Sequence, residues 1–76
     1  MTIKAINTRN QFPGVIKKIK RGDVVSEVEV DTGAGIITSV VTTSSLEDIR
    51  LRPGDEVIAL FKSTEVALAS FRKIHD

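Results

Sequence analysis

The chain has 76 residues, enough for one small domain of a size that buries only about 60% of its unfolded surface. The absence of cysteine excludes a disulfide framework and a thiolate metal site, and leaves oligomerisation as the staple for so small a core. A net charge of +1, from 11 basic and 10 acidic side chains, excludes a global field that would gather nucleic acid.

The N-terminal "MTIKAINTRNQ" lacks the apolar core of a signal peptide, so the cytoplasm is the expected compartment. No apolar run approaches the ~20 residues needed to span a bilayer, so no membrane partner is expected. The first strand is expected in "FPGVIKKIK", entered through Pro13-Gly14, with a tight turn near Gly22 and Asp23. "VVSEVEVD" alternates at period two. Val24, Ser26, Val28 and Val30 share one face, and Val25, Glu27, Glu29 and Asp31 share the other. The runs Lys17, Lys18, Lys20, Arg21 and Glu27, Glu29, Asp31 read as solvated strand faces. "IITSVVTT" alternates likewise, and "DTGAG" before it supplies the glycines of a hairpin.

"SSLEDIRL" reads as a short helix, with Ser44 and Glu47, or Ser45 and Asp48, placed as a capping box and Leu46 and Ile49 on one face. Pro53 limits it to about two turns. Arg52-Pro53-Gly54-Asp55 is a turn signal. "EVIALFK" and "EVALASF" are the fourth and fifth strand candidates. The expected fold is mainly β, a five-stranded OB-like barrel with one short helix.

Catalysis is not expected. The only histidine, His75, is penultimate in a polar tail, and Gly33 and Gly35 make a turn rather than a phosphate cradle. The acidic residues lack calcium-loop spacing, so no metal held directly by protein ligands is expected. An OB barrel raises single-stranded nucleic acid as a ligand, but that function needs aromatic platforms. The chain has no Trp or Tyr, and of its three Phe, Phe12 and Phe61 are expected in the core, with Phe71 near the end. What it does carry is compact donors beside isolated cations: Asn7, Thr8, Arg9 and Asn10; Thr42, Thr43, Ser44 and Ser45; Lys62, Ser63 and Thr64. A tetrahedral oxyanion suits this mixture of cation and hydroxyl. Taken singly, each stretch also fits a helix cap or plain polar surface.

Together these segments resemble the molybdenum–pterin-binding or molbindin family, of single Mop/TOBE type. Its modules also end molybdate-dependent regulators and molybdate transport ATPases. The resemblance covers about residues 7–69, and 70–76 form a tail beyond it. It rests on the R-N-Q triplet at Arg9–Gln11 followed by Gly14, V-T-x-x-S at Val41–Ser45, L-x-x-G-D-E-V at Leu51–Val57 and K-S-T-E-V at Lys62–Val66, all collinear. It implies a cytoplasmic protein that stores molybdate or tungstate at sites between subunits of a hexamer, a trimer of dimers. A sensing or interaction module is the alternative, with an OB-type nucleic-acid binder behind it. Whether a pterin is bound is left open. Carried over, Arg9 is the cation of the first segment, Thr42 and Ser45 are donors, and Lys62 and Ser63 close the site. Asn7 stands where the family usually has serine; its amide can still donate, with different reach.

Overall fold

A computed structural model describes residues 8–72. Its elements are β1 (Asn10–Lys20), β2 (Val25–Thr32), β3 (Gly35–Thr42), α1 (Thr43–Asp48), β4 (Glu56–Phe61) and a 3-10 turn (Ser63–Glu65). The strands form one curled antiparallel sheet in the order β3-β2-β1-β4.

The alternation read in the sequence decides which face is buried. Ser26, Val28, Val30 and Thr32 point inward from β2, while Val25, Glu27 and Asp31 are exposed. On β3, Ile37, Ser39 and Val41 are the better-buried residues, and Ile36, Thr38 and Val40 face out. The core is Ile16, Val28, Val30 and Leu46, with Ile19, Val41, Leu51 and Val57 packed against it. β1 carries an irregularity between Ile16 and Lys18, the kind of bulge that bends a strand and deepens its twist. Around it β1 is gripped by the turn before β4: the Ile16 N–H donates to the Asp55 carbonyl (2.9 Å), and the Gly54 N–H donates to the Ile16 carbonyl (2.8 Å). At Gly14 a Cβ would lie 2.6 Å from the Asp31 carbonyl oxygen, so the close β1–β2 approach requires glycine.

The expected turns form. Thr32 closes the β2–β3 hairpin by donating to the Gly35 carbonyl (2.6 Å) and accepting from the Ala34 N–H (3.2 Å). Arg52–Asp55 closes through the Asp55 N–H and the Arg52 carbonyl (3.0 Å), with Gly54 at φ +94°. Positive φ after a proline is what a type II turn demands.

Two expectations differ from the structure. The helix is capped by Thr42, not by Ser44 or Ser45. Thr42 is the last extended residue of β3 (φ −68°, ψ 143°), so its hydroxyl can reach the Ser45 N–H, whereas Ser44 and Ser45 already lie inside α1. Leu46 is buried in the core, and Ile49 borders the same apolar concavity, where the open sheet leaves it exposed. Second, the sheet has four strands among the described residues, not five. Ser63–Glu65 forms the 3-10 turn, and over the described residues 66–72 the backbone joins no strand of its own chain. An extended segment needs a ladder partner, and the 3-10 turn at Ser63–Glu65 separates this one from β4. Leu68 and Phe71 are left fully exposed there. The curled sheet is therefore a half-barrel, and its inner face encloses an open apolar concavity of about 500 Å³ lined by Ile16, Val28, Val30, Leu46 and Val57 among others.

Candidate functional site

The antiparallel β1–β4 ladder decides where the cations meet. Asn10 pairs with Phe61, so the residues entering β1 and those leaving β4 emerge side by side. The Asn10 side-chain amide donates to the Phe61 carbonyl (3.2 Å), and Phe12 stacks on Phe61 with ring centroids 5.6 Å apart. The two rings are half-buried at the end of the ladder rather than central in the core. On the entry side, Gln11 Nε2 donates to the Thr8 carbonyl (3.0 Å). On the exit side, the Glu65 carboxylate accepts from the Lys62 N–H (3.3 Å) while the Glu65 N–H donates to the Lys62 carbonyl (2.9 Å), which fixes the turn bearing Ser63 and Thr64.

Thr8, Arg9, Lys62, Ser63 and Thr64 then line a cleft of about 180 Å³. It holds two cations and three hydroxyls and no carboxylate. Among the described residues neither the Arg9 guanidinium nor the Lys62 ammonium has an ion-pair partner; the single ion pair joins Arg21 to Glu47. Unpaired cations beside hydroxyls in a concave site favour an anion that can accept several hydrogen bonds at once. Thr8 and Thr64 were not singled out as site residues; their signal was adjacency to Arg9 and Ser63 in the two polar segments.

Thr42 and Ser45 sit elsewhere. The Thr42 hydroxyl donates to Ser45 Oγ (2.7 Å) and accepts from the Ser45 N–H (3.2 Å). Its proton and an acceptor site are thus engaged, and the Ser45 hydroxyl proton is the one left to point outward. Ser45 borders the apolar concavity, not the cation cleft. Within one chain, then, Arg9, Lys62 and Ser63 come together, while Thr42 and Ser45 form a separate hydroxyl pair. Asn7 and His75 lie outside the described residues. Among the described residues no group of three His, Cys, Asp or Glu is placed to hold a metal ion. No helix there is long and apolar enough to cross a membrane.

A TOBE domain model matches residues 6–68. The chain belongs to the TOBE-domain family. It is 35% identical over 65 residues to molybdenum-pterin-binding protein 3 of Clostridium pasteurianum, covering 84% of this chain and 96% of that one. Among solved structures it is similar to a molybdate-binding protein from Sporomusa ovata, with a TM-score of 0.81 at 32% identity over 86% of this chain and 97% of that one. It is also similar to the cytoplasmic molybdate-binding protein ModG with molybdate bound (TM-score 0.72, 34% identity), over 76% of this chain and 42% of that one. The TOBE match takes in both the cation cleft and the hydroxyl pair, so neither lies on a segment foreign to the family.

Proposed function

We propose that this TOBE protein binds molybdate, or tungstate, as an intact dianion and serves in intracellular molybdenum storage and homeostasis without catalysing a reaction. The observation that carries this is the carboxylate-free cleft of Arg9, Lys62, Ser63, Thr8 and Thr64, whose two cations have no ion-pair partner among the described residues. The names of the molybdate-binding relatives support the same ligand. A dianion is held there by charge-assisted hydrogen bonds, each shorter and stronger than a neutral one.

In this reading the site is completed between copies of the chain. The cation cleft and the Thr42–Ser45 pair are separate in one chain, so a second copy brings one chain's hydroxyls to another's cations. The uncovered concavity and the exposed Val66, Leu68 and Phe71 support assembly, and the segment Glu65–Phe71 becomes the fifth strand of a barrel by pairing with a neighbouring copy. The resulting particle is a hexamer, a trimer of dimers, located in the cytoplasm. Asn7 contributes its side-chain amide as a further donor.

Calorimetric titration with molybdate, tungstate, sulfate and phosphate tests the ligand, and light scattering on the same samples tests the assembly. Molybdate and tungstate are expected to bind far more tightly than sulfate, because a cage sized for the larger tetrahedron leaves donors unpaired around a smaller one. Equal affinity for sulfate at matched ionic strength reduces the cleft to a general anion patch. A monomer with and without molybdate overturns the shared site.

A further inference from the structure

Ser26 is the unexpected residue of the inner sheet face. It occupies the first inward position of β2, in line with Val28 and Val30, and is only 2% exposed. A hydroxyl at such a position lowers stability unless it is bonded, and here it is bonded in a closed ring. The Thr43 hydroxyl donates to the Gly22 carbonyl (2.7 Å), which commits its only proton. The 2.7 Å contact between Ser26 Oγ and Thr43 Oγ1 must then be donated by Ser26. Ser26 Oγ in turn accepts from the Gly22 N–H (3.3 Å). The ring runs from the Gly22 N–H through two hydroxyls back to the Gly22 carbonyl.

Other bonds tie the same two places. The Thr43 N–H donates to the Val24 carbonyl (2.8 Å), and Arg21 pairs with Glu47 of α1 across 3.4 Å. At Gly22 a Cβ would sit 2.4 Å from the Val25 carbonyl oxygen, so this tight turn accepts only glycine. The β1–β2 turn is thereby fastened to the first residue of α1, next to the Thr42 cap and two residues before Ser45.

We propose that Ser26 and Thr43 are positioning residues for oxyanion binding: the ring through Gly22 fixes the strand-to-helix junction so that the Ser45 hydroxyl is presented at a set place and angle. This rests on the reading of Ser45 as an oxyanion donor. An apolar pair of the same shape would fill the space at little cost in stability, since removing both members of a hydrogen bond is nearly neutral. The exposed Gly22 could then bond to water. Directional bonds constrain the junction in a way that apolar packing does not.

The test is the double variant Ser26→Ala/Thr43→Val, with Thr43→Val, Thr43→Ser and Ser45→Ala beside it. Each is titrated calorimetrically with molybdate well below its Tm, after light scattering has confirmed the wild-type assembly. The double variant is expected to melt close to the wild type yet bind about two- to tenfold more weakly, the scale of one supporting hydrogen bond. Thr43→Ser, which keeps the hydroxyl, restores wild-type affinity. Wild-type affinity in the double variant, with Ser45→Ala weakened, overturns the positioning role alone. Unchanged affinity in Ser45→Ala overturns the hydroxyl half-site and the positioning role with it. Should the double variant not assemble, Thr43→Val against Thr43→Ser decides: equal affinities overturn the proposal, and a loss confined to Thr43→Val supports it.

Discussion

At the Thr42–Ser45 junction nearly every polar atom is committed within the chain. Thr42 caps α1 and bonds Ser45, Thr43 bonds Gly22 and Val24, and Ser26 closes the ring. At the Arg9–Lys62 cleft the backbone is just as firmly bonded, but the charged ends of the side chains have no ion-pair partner among the described residues. The two regions answer different needs. A neutral hydroxyl binds through direction, so its value lies in being held still. A cation acts through charge, which weakens slowly with distance, and it can keep its rotamers until the ligand arrives. The protein spends its internal hydrogen bonds where geometry decides and leaves its charge where reach decides.

That contrast can be broken from either side. The largest effect is expected from Leu46→Ala, which removes the side chain holding α1 on the core and should lower stability by about 2–5 kcal/mol. Chemical denaturation followed by circular dichroism measures it; a loss below 1 kcal/mol would mean that the ring through Gly22, not Leu46, holds the helix. Next is Lys62→Ala, expected to weaken molybdate binding by about 1.5–3 kcal/mol, or ten- to a hundredfold, with the ligand-free Tm nearly unchanged. A large fall in ligand-free Tm would make the lysine structural and erase the distinction between the two regions. Ser45→Ala should cost about 0.5–1.5 kcal/mol of binding, while Thr42→Ala, which removes the cap, should cost about 1 kcal/mol of folding stability. Affinities and melting curves taken on both variants assign each hydroxyl to one duty. The smallest change runs the other way. Arg50 is a non-glycine residue at φ 55° just past α1, so Arg50→Gly should raise stability by about 0.5–1 kcal/mol, read as a higher Tm with unaltered molybdate affinity.

Much of this was legible in the chain. Period-two alternation placed Val28 and Val30 inward and Glu27 and Asp31 outward, and the glycine and proline of "DTGAG" and "RPGD" fixed the turns, because backbone sterics act residue by residue. The cation segments were readable as donor clusters. Three things were not legible. Four consecutive hydroxyls are equivalent as residue types, so the choice of Thr42 as cap depended on where extended geometry ends. The segment Glu65–Phe71 has strand composition without a strand beside it, and the order of residues in one chain does not supply a neighbour. Nor was the ring of Ser26, Thr43 and Gly22 legible, because a serine in an alternating strand looks like any tolerated small residue.

The register of β1 also bears on the order in which the molecule is made. On one side β1 pairs with β2, its neighbour in sequence; on the other it pairs with β4, where the bonded residues Asn10 and Phe61 are 51 positions apart. The β1–β2–β3 meander can close through short loops, but the β1–β4 ladder must wait for a long loop to find its ends, which is slower and entropically dearer. The cation cleft lies at the far end of that ladder. By this loop-closure argument it is expected to form last in the sheet and fray first, and an anion that bridges Arg9 to Lys62 would pin together two chain segments far apart in sequence.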